Sequence, residues 1–244
     1  MLYKTISLLL IGFFSFTINA NLSVKPESST LVVAAVENSI EFNVESIYSN
    51  LIVNNFSLPN KISFTKAMTG YFELKKRDII QNEILTLVDY SLSSNENRLW
   101  VIDLKSNTIL FQSLVSHGRN SGNEFANSFS NKPESYKSSL GFYLTGETYF
   151  GKHGYSLRLD GLDKGVNSNA RDRAIVVHGA DYVSERFIKQ NGRLGRSLGC
   201  LALSQELTKE VIDTIKNKSY TNLINNKSKK QIIFSNSLFV YYPS

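Results

Sequence analysis

Two stretches decide how this chain reads: Arg173-Ala-Ile-Val-Val-His178-Gly179-Ala180 and Gly192-Arg-Leu-Gly-Arg-Ser197-Leu198-Gly199-Cys200-Leu201-Ala202-Leu203. The first is a β-branched run that closes on His-Gly, a buried strand whose imidazole projects from a rigid element. The second puts the one cysteine of the chain in a glycine-rich turn ahead of a helix. Gly199 lets the backbone approach a ligand with no side chain in the way. Free N–H groups around Ser197, Leu198, Gly199 and Cys200 can point at a developing oxyanion, and the helix end at Ser204 can draw the thiol pKa down. His178 and Cys200 together read as a base and its thiol nucleophile. Singly, each also reads as a core residue, a satisfied histidine or a small buried thiol.

Outward from this pair, the rest of the chain sets its context. Met1-Leu-Tyr-Lys4 is a short positive start, Ile6 to Phe16 is almost wholly apolar, and Ile18-Asn19-Ala20 resembles a small-residue cleavage site. This is the grammar of a signal peptide over residues 1–20, with a mature chain from about Asn21 and no membrane span left after cleavage. A periplasmic or secreted protein is expected. In an oxidising compartment an unpaired thiol is exposed to wrong pairing, which sharpens the case for Cys200 as a nucleophile. The single cysteine forbids an internal disulfide and rules out cysteine-rich zinc modules. Without Lys4 the chain holds 26 basic against 21 acidic residues. That mild excess is spread along the sequence with no basic stripe interleaved with aromatics, so nucleic acid is not an expected partner. With 42% hydrophobic residues over 244 positions the chain can bury a real core.

Residues 21–36 read as a linker and residues 37–80 as a helical N-terminal extension. In the latter, Ile40, Val44, Ile47 and Leu51 recur at helical spacing, and a second helix is expected from a Ser63 cap with Phe64, Ala67, Met68, Tyr71 and Leu74 on one face. From residue 81 to 244 the pattern is β-rich. Strands are expected at Ile84–Tyr90, Arg98–Asp103, Thr108–Val115, Phe142–Thr145, Ser156–Leu159, Ala174–Val177 and Gln231–Tyr241. Between them, Ser116–Ser139 and Asp160–Arg173 read as long loops, and a helix over Gln205–Asn217 is capped at Ser204.

Chain order narrows the chemistry. Papain-like enzymes place cysteine before histidine, the reverse of this chain, and sortases need an arginine after the cysteine, whereas the last arginine here is Arg196. His178-Gly179, 22 positions ahead of Cys200 in Ser197-Leu-Gly-Cys200, resembles the catalytic domain of the YkuD-like murein L,D-transpeptidases. Val115-Ser-His117-Gly118-Arg119, Ser138-Ser139-Leu140-Gly141-Phe142-Tyr143 and Gly151-Lys-His153-Gly154-Tyr155-Ser156-Leu157-Arg158-Leu159-Asp160-Gly161 support the likeness. The resemblance implies a β-rich α+β fold, a mixed β-sandwich with flanking helices. It also implies a cysteine acyltransferase, or an L,D-carboxypeptidase, acting on peptidoglycan stem peptides without a cofactor. Cys200 would be the nucleophile, His178 the base, and Ser197, Leu198 and Gly199 the backbone of the oxyanion site. Gly179, His117, His153 and Ser139 would line the substrate cleft. The wider family carries Ser-His-Gly-Cys followed after one residue by Arg or Asn. Leu198 and Ala202 stand at those positions here. Arg196, Arg158 or Arg173 is then expected to supply the carboxylate grip, because a guanidinium fork matches a carboxylate.

Two other readings stay open on the residues alone. His117, His153, His178 and Cys200 could fill a tetrahedral zinc shell, although their spacings of 36, 25 and 22 match no compact zinc motif. A non-catalytic wall-binding protein on an enzyme-like fold is the second. Oligomeric state is not legible.

Overall fold

The computed structural model describes residues 42–225, all within one compact unit. Among them eight strands form one mixed sheet in the order β3-β2-β1-β8-β4-β5-β6-β7. The strands are β1 (Ile84–Asp89), β2 (Leu99–Asp103), β3 (Thr108–Ser113), β4 (Gly141–Gly151), β5 (Gly154–Gly161), β6 (Val176–Gly179), β7 (Leu201–Leu203) and β8 (Tyr220–Ile224). The β1–β8 and β6–β7 pairs are parallel and the other pairs antiparallel. The helices are α1 (residues 42–49), α2 (Lys61–Lys76), α3 (Glu185–Asn191) and α4 (Gln205–Ile215).

Side-chain alternation along the strands builds two cores on the two faces of the sheet. On the inner face, Val88, Val101, Tyr143, Leu157, Leu159, Val177, Leu201 and Leu203 pack with Val211, Ile212 and Ile215 of α4. On the outer face, Leu85, Leu87, Trp100, Ile102, Phe142 and Tyr220 pack with Phe64, Ala67, Met68, Tyr71 and Leu74 of α2 and with Val44 of α1. The helical stretch at 37–80 is therefore built into the sheet where it is described. α2 lies over β1 and β8, and the outer face farther along, at β5 and β6, is where the site forms.

The expected sandwich is realised as one continuous sheet whose two edges meet. The chain leaving β3 at one edge runs beside the segment that enters β7 at the other. Ser116 N–H donates to Ala202 O at 3.0 Å, Ser197 N–H to His117 O at 2.9 Å, and Arg119 N–H to Ser197 O at 2.8 Å. Joining the edges pairs backbone groups that would otherwise invite another strand.

Several local expectations change. The α2 cap is Asn60, whose Oδ1 accepts from Ile62 N at 2.9 Å and Ser63 N at 3.3 Å; Ser63 lies inside the helix and donates its hydroxyl to Asp89 Oδ2 at 2.6 Å. Ser204 holds the cap position of α4, but its side chain caps nothing. The cysteine turn leads into β7 before the helix starts, so the thiol sits at a strand entrance. β4 and β5 are longer than expected and join in a two-residue hairpin turn at Lys152-His153. α3 was not anticipated, nor was β8, which is buried on every residue and so shows no alternation to betray it. The expected strand Gln231–Tyr241, the signal peptide and the linker lie outside the described residues.

Candidate active site

Strand register brings the histidine and the cysteine onto one face. β6 and β7 pair in parallel with Val177 beside Leu201 and His178 beside Ala202, which sets Cys200 opposite Val176. Val177 and Leu201 point into the inner core, so His178, Val176 and Cys200 take the outer face. Strands ~4.8 Å apart with ~3.3 Å per residue put the His178 and Cys200 Cα atoms about 8 Å apart, a span that an imidazole and a thiol reaching toward each other can close. The same row continues on β5, where Ser156 pairs with His178 and Arg158 with Val176, and on β4, where Tyr149 pairs with Ser156. A register shift between Thr145 and Thr148 inserts one residue into β4 and turns Tyr149 to this face.

His178 is buried, and its Nδ1 lies 2.9 Å from Gly179 O. A carbonyl only accepts, so Nδ1 carries the hydrogen and Nε2 is the basic nitrogen. Burial lowers the pKa of the ring below that of a free histidine, and a charge on His153 would lower it further. The His153 ring lies over it, with centroids 4.3 Å apart and planes at 25°.

Cys200 is partly exposed, and its thiol points at Ala174 O at 3.5 Å rather than at the imidazole. Burial of the sulfur pushes the thiol up from its ordinary value, while the Val176 N–H and the Arg173 guanidinium pull it back. The expected depression of the thiol pKa is thus reversed, because packing around the sulfur outweighs the positive groups near it. Both shifts favour the uncharged forms, the Cys200 thiol and the neutral His178 imidazole. Alkylation of the native protein by iodoacetamide is expected to rise with pH through a midpoint above the ~8.5 of a free cysteine. A midpoint below that value, read from the pH profile of the modification rate, would contradict the neutral pair.

The turn ahead of Cys200 is held from several sides. Ser197 Oγ donates to Cys200 O at 2.8 Å and accepts from Gly199 N at 3.0 Å. The Gly199 amide is therefore spent, which corrects its expected role as an oxyanion donor. Gly199 is needed for shape instead: its φ is +127°, and a Cβ there would lie 2.9 Å from Lys137 O. At Gly179 a Cβ would meet Gln205 Oε1 at 2.4 Å, the movable end of a side chain. Leu198 stands 56% exposed at the rim.

The candidate substrate residues separate by what already occupies them. Arg173 donates to Ser130 O at 2.7 Å and Lys137 O at 2.6 Å, which pins the 128–139 loop beside Gly199. Arg196 donates to Arg119 O, Gly122 O and Asn123 Oδ1 at 2.9–3.2 Å and pins the 119–123 loop. Both Nη groups of Arg173 are taken by protein acceptors, so the expectation of a carboxylate grip is corrected for Arg173; Arg196 uses only its Nη1 in these bonds. Arg158 is on the site face, paired with Glu147 at 3.0 Å and lying over the Tyr149 ring at 4.6 Å. Ser139 is buried, with its hydroxyl 2.8 Å from Tyr143 Oη and 3.3 Å from Arg173. It links two loops and does not line a cleft.

His117 is also corrected. Its Nδ1 accepts from the buried Arg98 guanidinium at 2.8 Å, which leaves Nε2 to donate toward Gly122 O at 3.4 Å. Burial and the Arg98 charge push its pKa down to about 4. Both ring nitrogens are taken, so it can neither touch substrate nor bind a metal. The four-ligand zinc reading falls with it, and among the described residues no cluster of three His, Cys, Asp or Glu could hold a metal ion. Sequence reasoning missed Tyr149, Ala174 O and the Val176 amide. The first is aimed by a strand irregularity, and the other two act through backbone atoms that no motif advertises.

With this geometry in place, comparison with known proteins gives the class. Residues 57–223 match the L,D-transpeptidase catalytic domain. The chain belongs to that family. Among solved structures it is similar to an L,D-transpeptidase from Mycobacterium smegmatis, with 14% identity, a TM-score of 0.35, and 58% of each chain covered. It is also similar to an L,D-transpeptidase from Xylanimonas cellulosilytica, with 12% identity, a TM-score of 0.34, and 59% of this chain and 61% of that one covered. The chain thus spans about three fifths of the length of these structures. Comparison with curated proteins found no match. Among the described residues no helix is long and apolar enough to cross a membrane.

Proposed function

We propose that this protein is an exported cysteine acyltransferase that acts on peptidoglycan stem peptides, with Cys200 as nucleophile and His178 as general base. The observation that supports this reading is the β6–β7 register, which sets the cysteine opposite Val176, two residues from a histidine on the same face whose Nδ1 is already committed to Gly179 O. Family membership supports the substrate class. Export rests on the apolar stretch after Lys4 and points to the periplasm or the exterior.

The thiol proton passes to His178 Nε2 as the sulfur attacks the carbonyl at the L-centre of meso-diaminopimelate, forming the C–S bond. The tetrahedral oxyanion is held by the backbone amide of Cys200, since Gly199 N–H is bound to Ser197; one such donor contributes about 3–4 kcal/mol. Collapse breaks the C–N bond, and the terminal D-alanine leaves as its amine with the proton from His178. An amine of a second stem peptide then attacks the thioester, the new C–N bond displaces sulfur, and the amine's proton returns to the dyad through His178. Water in place of that amine makes the product of a carboxypeptidase. Because the thiol points at Ala174 O, it turns toward Nε2 on substrate binding before reaction.

Arg158 receives a substrate carboxylate in this reading, which is supported by the row it shares with Val176 and Cys200 and by its charge being only partly met by an exposed glutamate. The exposed Leu198 offers an apolar contact at the rim. Mass spectrometry of defined muropeptides incubated with the mature chain is expected to show loss of terminal D-alanine together with cross-linked dimers. Loss of D-alanine alone would identify hydrolysis. An unchanged muropeptide profile would leave a non-catalytic wall protein and end the proposal.

A further inference from the structure

His153 has no part in the reaction just written, yet its placement is closely specified. It is exposed in the two-residue turn between β4 and β5, where Gly151 and Gly154 form the last cross-strand pair. Gly154 adopts φ +74°, the left-handed position that follows the turn in a glycine-bulge hairpin. The strands below the turn are braced by Phe150 and Tyr155, directly opposed with ring centroids 5.3 Å apart. A stiff hairpin thus carries a solvent-side imidazole onto the flat of the buried one. Tight contact at 25° is an ordered stack of two aromatic faces, which a loosely tethered side chain would not keep.

We propose that His153 is a positioning residue for the dyad: laid on the face of His178, it holds the plane of that ring and screens the face from water, so that the Nε2 edge is the part presented for proton transfer. The role rests on the acyl-transfer reading of the site. It complements the Gly179 contact, because a hydrogen bond at Nδ1 fixes one corner of the ring but permits rotation about that corner. A flat partner against the ring removes this freedom. The stack has an electrostatic side as well, since a positive charge on His153 disfavours charge on His178. The other charged or titratable groups about this site are Tyr149 on β4, Arg158 on β5, Cys200 at the entrance to β7, Lys152 beside His153 and Tyr182 in the segment after β6. Glu147 and Asp160 are engaged by Arg158 and Arg171.

The test compares His153→Ala with His153→Phe in the full mature chain. The first removes ring and charge, and the second keeps a flat ring without charge. His153→Ala is expected to lower kcat on muropeptides about tenfold with KM within about twofold, the scale of a misoriented catalytic group. His153→Phe should recover most of that kcat. In the Phe variant the titration of His178, followed by its ring-proton resonances and by the pH profile of Cys200 alkylation, should move to higher pH. An unaltered kcat in His153→Ala, a change confined to KM, or a His178 titration that does not move in His153→Phe would each overturn the proposal. If the unsubstituted protein turns over no muropeptide, the acyl-transfer reading fails by itself, and the His178 titration still decides whether the stack governs the ring.

Discussion

Cys200→Ala is expected to abolish turnover of muropeptides, by roughly 10⁴-fold or more, with no covalent adduct formed on exposure to a carbapenem. The size follows from the chemistry. The acyl group must leave the stem peptide as a thioester, and without sulfur the site can only orient water or an amine against an unactivated amide. The fold should be indifferent to the change. The thiol makes a long hydrogen bond, 3.5 Å to Ala174 O, and a weak contact with the Val176 amide, so its removal should cost about 1 kcal/mol. Activity retained in the purified alanine variant, with a melting temperature like that of the parent, would end the thioester mechanism.

Arg98→Leu should have the largest effect on stability, a loss of about 3 kcal/mol or more. The Arg98 side chain is fully buried and organises the crossing where the sheet edges meet. Its Nε and one Nη donate to Val115 O at 3.2 and 3.0 Å, the other Nη donates to Leu92 O at 2.9 Å, and His117 Nδ1 accepts at 2.8 Å. Leucine fills part of the volume but leaves those acceptors buried and unmet. Burial holds the Arg98 pKa down to about 10, so it remains charged at neutral pH, and its charge together with burial keeps His117 neutral. For a chain of this length the melting temperature should fall by roughly 6–12 °C. Thermal unfolding measures it, and a fall under about 2 °C would mean the Arg98–His117 contact is not organising the closure.

The two predictions also locate where sequence reasoning stops. His178 and Cys200 could be singled out because their chemistry is rare and lies beside glycine, while His117, equally rare, looked like a site residue and is a structural one. The difference is Arg98, 19 positions earlier and joined to His117 only by the fold. Arginine showed the same limit: Arg158, Arg173 and Arg196 look alike as guanidiniums, and what sets Arg173 apart is that loop acceptors have already taken both of its Nη groups. The central strand β8 went unnoticed because it is buried on every residue and carries Thr221 and Asn222 inside. A strand covered on both sides loses the period of two by which strands are read.

Residue chemistry and short-range periodicity were enough to name a thiol–imidazole pair, an amphipathic helix over Phe64 to Leu74, and the β-rich class, because each depends on side chains a few positions apart. Contacts across tens of residues needed the folded chain: the parallel register that sets Cys200 opposite Val176, the hairpin that carries His153 onto His178, and the joining of the sheet edges at Ser197. Strand pairing and hydrogen-bond saturation are properties of two segments at once, so neither segment read singly contains them.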